Sequence, residues 1–197
     1  LAQAGHRVKH VDVFRPDIID QLKGCDGLMW RRLHNPRHHA VARRLLPVAE
    51  DQLGLCVYPD RKTAWHYDDK IAQDYLLKAA DIPVPETHVF FDRAEAENFC
   101  RFAEYPLVLK LATGASSSNV RLLRHADDAM RWIEQHFGAG VRSLRGLPTF
   151  TAVGLMQRMR DAARYWLTGE WPNPGSAFEL HKNYLLIQRF LPDNEFD

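Results

Sequence analysis

The tightest constraint in this 197-residue chain is a pair of apolar runs set around a small polar stretch. Pro106 to Leu111 reads as a compact buried strand, and Val120 to Leu123 as the strand on its far side. Between them Thr113 to Asn119 supplies Thr-Gly-Ala-Ser-Ser-Ser-Asn. The pair makes a hairpin whose tip is longer than a chain reversal needs. Small residues at such a tip let successive backbone N–H groups approach an anion, and the first strand ends in Lys110.

The flanking sequence alternates strand and helix patterns. Val8 to Phe14 reads as a strand, a brief helix falls between Asp17 and Asp26, and Gly27 to Trp30 reads as a second strand. Val41, Leu45, Leu46 and Ala49 recur at helical spacing within His38 to Gln52, and Leu53 to Tyr58 resumes as a strand closed by Pro59. This β-α-β-α-β rhythm predicts an open α/β layer. A helix from Asp69 carries Ile71, Ala72, Tyr75, Leu76 and Ala79 on one face, predicted to point inward, and Pro83 and Pro85 end it. Thr87 to Phe91 is the next strand. Asp92 with Glu95 three residues on is a capping signature for a helix from Arg93 to about Ala103, with Phe99 and Phe102 facing inward. A further helix spans Ala126 to Phe137. From Gly138 to Asn183 the rhythm is lost, apart from a helix pattern near Ala152 to Trp166, and this stretch reads as an insertion. Tyr184 to Phe190 is a final buried strand.

Composition limits the partners. The 26 basic and 25 acidic side chains nearly cancel, so no broad field selects nucleic acid or an anionic membrane, and any phosphate binding is local. No apolar run reaches the length of a membrane span. Cys25, Cys56 and Cys100 are odd in number and lack C-x-x-C spacing, which predicts reduced, buried thiols in a cytoplasmic protein. The opening Leu1-Ala2-Gln3-Ala4-Gly5-His6 reads like the end of a helix, so sequence is expected upstream.

Four pieces carry chemistry together. They are Asp69-Lys70 at a helix start, Pro106-Leu107-Val108-Leu109-Lys110, the loop Gly114-Ala115-Ser116-Ser117-Ser118-Asn119, and Gln188-Arg189-Phe190-Leu191-Pro192-Asp193-Asn194-Glu195-Phe196. Each alone is ordinary, since a lysine at a helix start or strand end is commonly a solvated or snorkelling side chain. In order and spacing, however, the four resemble the ATP-grasp proteins, a family that includes D-alanine ligases, glutathione synthetases and peptide-tailoring ligases. The resemblance spans about Tyr58 to Asp197.

That resemblance implies an α/β (α+β) protein with an ATP-grasp fold, in which residues 1–60 form a partial, Rossmann-like pre-ATP-grasp layer and residues 61–197 the nucleotide-gripping part. It implies ATP and Mg2+ as cofactors. Lys70 and Lys110 would hold phosphates, Gly114, Ala115, Ser116, Ser117 and Ser118 would close over them, and Gln188 with the Leu191 N–H would meet adenine. Arg189 and Phe190 would lie on the same strand, and Glu195 would take the ribose hydroxyls. Val108, Leu186 and Phe190 would wall the base, which needs flat apolar surfaces beside an acceptor and a donor. Asn119 stands where many family members have glycine, and asparagine tolerates positive φ. Gln188 stands where glutamate is common, and its amide oxygen still accepts.

The implied activity is carboxylate ligation, through an acylphosphate made with MgATP, onto an amine or thiol. A phosphotransferase and a nucleotide-binding regulator without turnover are the alternatives. The carboxylate substrate would be a small molecule or peptide, and a homodimer is left open. The family's metal ligands and catalytic arginine are expected beyond Asp197, so no metal ligand is assigned within this chain, which as it stands is expected to be inactive. His34 and His38 are separated by Pro36 and lack a completing ligand set, so they are set aside as a metal site. Arg31, Arg32, Arg37, Arg43 and Arg44 form a basic patch that reads as a solvated face or as a seat for an anionic substrate.

Overall fold

The computed structural model describes residues 2–33, 36–114, 119–142 and 179–192. The chain divides into two units, Leu1–Tyr67 and Asp68–Asp197.

In the first unit, helix α1 (Ile18–Leu22), strand β1 (Gly27–Met29), helix α2 (Pro36–Pro47), a π-helical turn (Val48–Gln52), strand β2 (Cys56–Tyr58) and helix α3 (Arg61–Ala64) follow in order. Strands β1 and β2 pair in parallel, with Gly27 opposite Cys56 and Met29 opposite Tyr58. Gly27 is required by that approach: a Cβ there would lie 2.8 Å from the Cys56 carbonyl oxygen. Pro36 opens α2, where its missing N–H is harmless. Leu22, Leu28, Leu45, Leu46 and Val57 meet in one apolar core.

The predicted strand over Val8 to Phe14 does not form. Asp12 instead accepts the Phe14 N–H at 2.9 Å through its carboxylate and the Arg15 N–H at 3.1 Å through its carbonyl, which bends the chain into a turn. The basic patch is partly consumed internally. Arg37 lies 3.9 Å from the Phe14 ring centroid, and Arg32 sits over Tyr67 and donates to the Ala64 carbonyl at 2.6 Å. His38 stacks on Trp30 and accepts the Leu33 N–H. The cysteines depart from expectation as well: all three are free, but only Cys100 is buried, while Cys56 is exposed and Cys25 half-buried.

The second unit contains helix α4 (Lys70–Ala79), strand β3 (Thr87–Phe90), helix α5 (Arg93–Phe102), the hairpin β4 (Leu107–Lys110) and β5 (Val120–Leu123), and helix α6 (Ala126–Phe137). Short strands β6 (Val141–Arg142) and β7 (Leu180–His181) and strand β8 (Leu185–Arg189) complete it. The main sheet runs β3-β8-β4-β5, antiparallel throughout, so the last strand among the described residues lies inside it. The mixed α/β class expected from the sequence holds.

Alternation along these strands separates two faces. Leu107, Leu109, Leu123, Leu185 and Ile187 point into a core closed by Ala96 and Cys100 of α5 and by Ala129 and Ile133 of α6. Each fully buried Leu or Ile there contributes about 1.5 to 3 kcal/mol of transfer free energy. Thr87, Val108, Lys110, Leu186 and Gln188 occupy the opposite register positions.

Two helix faces differ from prediction. In α4, Tyr75 and Leu76 are 49% and 38% exposed, whereas Asp74 is 7% exposed. The reason is polar: Lys78 bridges the Asp74 carboxylate at 2.8 Å and the Thr87 carbonyl at 2.6 Å, which fixes the helix by its charged row. In α5 the Asp92 cap forms as expected, accepting the Glu95 N–H, but Phe102 is 77% exposed. Ala96, Phe99 and Cys100 form the inward stripe, and Phe102 projects away from it. Residues 138–142 and 179–183, read from sequence as parts of an insertion, are partly ordered against each other through β6 and β7, with Val141 opposite His181. The helix expected over 152–166 lies outside the described residues.

Candidate functional site

A hydrogen-bonded row crosses three strands on the face opposite the helices. The Lys110 ammonium donates to Gln188 Oε1 at 2.5 Å, Gln188 Nε2 donates to Thr87 Oγ1 at 2.9 Å, and the Thr87 hydroxyl donates to the Pro85 carbonyl at 2.8 Å. The register explains it. Thr87, Gln188 and Val108 are directly opposite one another, and Lys110 is the next residue on that face of β4. Because lysine only donates, the amide orientation follows: oxygen toward Lys110, nitrogen toward Thr87. Burial pushes the Lys110 ammonium below its usual pKa. Its partner is a neutral amide, which offsets little of that desolvation.

The second cluster is the entry to the small-residue loop. Leu111 closes the hairpin ladder by donating to the Asn119 carbonyl at 3.0 Å. From there the backbone is gripped from several segments. The Ala112 N–H donates to the Tyr184 hydroxyl at 2.8 Å, and the Ala112 carbonyl accepts the Lys70 N–H at 2.8 Å. The Thr113 carbonyl accepts the Asn119 side-chain amide at 3.0 Å. The Gly114 N–H donates to Asp68 at 2.8 Å, and the Gly114 carbonyl accepts the Lys70 ammonium at 2.6 Å. Gly114 has a φ of 106°, and a Cβ there would collide with the Asn119 amide. Asp68 holds its place at a φ of 57°, a conformation aspartate adopts more readily than most residues. Asp69 caps α4, accepting the Ile71 and Ala72 N–H groups at 3.1 and 3.0 Å, and so aims the first turn at the loop.

The expected site residues thus fall in two groups. Lys110, Val108 and Gln188 come together on one face, and Lys70 meets Gly114. Phe190 is half-buried past the end of β8 and Leu191 is exposed. Leu186 lies on the same face as Lys110 but is buried. The Arg189 N–H is used by the Glu86 carbonyl, and Arg189 sits in the register of Leu107, on the other face from Gln188. Ala115, Ser116, Ser117, Ser118 and Glu195 lie outside the described residues. Asn119 is not at positive φ; its buried side chain instead ties the two ends of the loop. Sequence reasoning missed Asp68, Glu179, His181 and Tyr184. Asp68 was the findable one, as the residue beside the recognised Asp69-Lys70 pair.

No protein-family model matches the chain. The chain is 29% identical over 84 residues to the alpha-aminoadipate–LysW ligase LysX of Saccharolobus solfataricus, which covers 43% of this chain and 30% of the ligase. Among solved structures, the RimK domain protein ATP-grasp of Sphaerobacter thermophilus is 22% identical with a TM-score of 0.46, over 85% of this chain and 46% of that one. A biotin carboxylase domain of a thermophilic 2-oxoglutarate carboxylase, bound to ADP without magnesium, is 16% identical with a TM-score of 0.29, over 78% of this chain and 26% of that one. The chain therefore spans under a third of its curated relative. Among the described residues no helix is long and apolar enough to cross a membrane.

Proposed function

We propose that the protein bearing this chain is an ATP-dependent carboxylate ligase, and that the described site seats the nucleotide. The observation that carries the reading is Lys110, a half-buried ammonium whose hydrogen-bond partner is a neutral amide. An anion beside it would recover the interaction that burial removes.

The other residues fit a nucleotide. Lys110 and Lys70 would hold phosphates as compact point charges, and the Lys70 ammonium also donates to the Gly114 carbonyl. Gly114 leaves the loop entry without a side chain, its own N–H being given to Asp68 and its carbonyl accepting from Lys70. Gln188 Oε1 has a second lone pair for the amino group of adenine while it accepts from Lys110. The Leu191 N–H would serve the ring, and Val108 and Phe190 would flank the base. The loop through Ser118 would cover the phosphates and Glu195 would take the ribose. ATP, when bound, supplies the phosphoryl group that activates the carboxylate; this chain's own contribution is to hold, orient and neutralise. Among the described residues no cluster of His, Cys, Asp or Glu could hold a metal ion, and no step is assigned to Mg2+. The name of the LysX relative supports a carboxylate substrate ligated to an amine, small molecule or protein-borne, and three free cysteines support a cytoplasmic setting.

The test is calorimetric titration of the full-length protein with ATP, followed by a screen of carboxylates and amines for ADP release. Saturable ATP binding with substrate-dependent ADP release is expected. Absence of ATP binding would refute the reading, and binding without turnover on any substrate would favour a regulatory role.

A further inference from the structure

The first unit holds a cluster of positive charge that the nucleotide reading does not use. It lies at the carboxyl ends of the two parallel strands. Trp30 and Arg32 follow β1, the Trp30 N–H extends the ladder to the Tyr58 carbonyl at 3.0 Å, and α2 opens at Pro36 with Arg37 in its first turn. Open α/β layers bind ligands outside the carboxyl ends of their parallel strands.

Two guanidiniums there are seated over aromatic rings. Arg32 lies 4.8 Å from the Tyr67 ring centroid and donates to the Ala64 carbonyl at 2.6 Å, while the Tyr67 hydroxyl donates to the Arg32 carbonyl at 3.3 Å. Arg37 lies 3.9 Å from the Phe14 centroid, and Phe14 packs edge-on to His38 at 4.8 Å and to Trp30 at 6.4 Å. Burial lowers the His38 pKa, and the charges of Arg37, His39 and Arg32 lower it further, so both guanidiniums bear on one imidazole. No carboxylate of this unit pairs with Arg32 or Arg37: Asp17 is taken by Arg15, Asp20 by Lys23, and Glu50 and Asp51 by Arg61. Arg32 is half-buried, and burial lowers its pKa with only Tyr67 opposing. A desolvated cation with no counter-ion in its own unit is stabilised by an anion that arrives from outside.

We propose that Arg32 and Arg37 form a carboxylate-binding site, which takes the carboxylate of a small organic acid. The donors decide the class. A guanidinium is a planar fork that meets a carboxylate through two parallel N–H bonds, and seating each fork over a ring limits the freedom that binding would remove. Backbone donors of the kind that cradle phosphate are fewer here, since Pro36 has no N–H and the Leu33 N–H is given to His38 at 3.3 Å. The proposal stands on the first unit alone and does not rest on the nucleotide reading.

The experiment titrates the full-length protein, without nucleotide, with benzoate, glutarate and glutamate, with neutral benzamide and with inorganic phosphate. Calorimetry reads affinity, and NMR of the His38 imidazole reads location. At least one of the three carboxylates should bind, and benzamide should not. Arg37→Met should weaken that carboxylate at least about tenfold, the loss expected of a charge-assisted contact. Arg37 is exposed, so this variant leaves the core alone. Bound carboxylate should also raise the His38 pKa, because it offsets two of the charges that lower it. Failure of all three carboxylates to bind, benzamide binding as well as benzoate, or phosphate binding more tightly than any carboxylate would each overturn the proposal. So would unchanged carboxylate affinity in Arg37→Met, or binding that leaves His38 unmoved. None of these outcomes involves ATP. Protein that takes a carboxylate here and fails to bind ATP sinks only the nucleotide reading; protein that binds ATP and no carboxylate sinks only this site.

Discussion

Lys110 and Lys70 carry the same charge in two differently built regions. Lys110 sits on a pleated sheet, and its link to Gln188 follows from strand register alone. Lys70 sits in the first turn of α4 and is tied by its N–H to Ala112 and by its ammonium to Gly114. On the nucleotide reading one lysine would be an anion seat that the fold barely uses; the other is also part of what keeps the loop entry in shape. The difference teaches that equal chemistry at a site can have unequal structural cost when it is removed.

The strongest way to break the comparison is Gly114→Ala, which attacks the loop region and spares the sheet row. A side chain at positive φ that also strikes Asn119 should cost about 4 kcal/mol of stability, read by denaturant unfolding of the full-length protein. A cost near zero would mean the loop entry relaxes freely.

Acid should separate the regions next. His136 is fully buried with no ring nitrogen in a well-formed hydrogen bond, and it packs against Tyr184. Burial brings its pKa down to about 4, against a smaller opposing effect of the Tyr184 backbone. The unfolded chain, with an ordinary value of 6.5, binds the proton more readily. Stability is therefore lost as pH falls from 6.5 toward 4, by about 3 kcal/mol in full. Amide exchange should show Ala112 losing protection before Leu109, and His136→Leu should remove its share of the pH dependence, leaving the smaller share of groups such as His181, whose pKa burial also lowers.

Lys110→Met should weaken ATP binding by about 2 kcal/mol while adenosine binds as before. Stability should move by less than about 1 kcal/mol, since a desolvated charge leaves with the bond to Gln188. Unchanged ATP affinity would remove Lys110 from the phosphate site. The smallest effect sharpens the contrast: Lys70→Met should lower stability by about 1 kcal/mol as well as ATP affinity, because Gly114 loses its donor. Equal stability of the two methionine variants would erase the distinction.

What the sequence made legible was local. The hairpin, the Asp92 cap and the α6 helix follow from alternation, capping chemistry and 3.6-residue spacing, which neighbours in the chain decide. What it hid was decided across distance. The apolar stripe of α4 was real, but the bridge from Lys78 to Thr87 chose the opposite face. Phe102 had the right type and the wrong angle. At the site, Lys110 and Gln188 were picked from separate motifs, yet their contact depends on β8 entering beside β4. The role of Asn119 was misjudged because a backbone explanation was sought for a residue that acts through its side chain.

The central place of β8 bears on how the protein is made. A ribosome releases β3, β4 and β5 long before the strand that joins them, and Thr87 waits for a partner 101 residues downstream. Until then β3 and β4 each present an unpaired edge, the kind of surface that recruits chaperones or other nascent chains. The contact between Lys110 and Gln188 is missing throughout that interval, so on the nucleotide reading the ligand could not template the early steps of folding. Translation must run past residue 189 before the sheet can close.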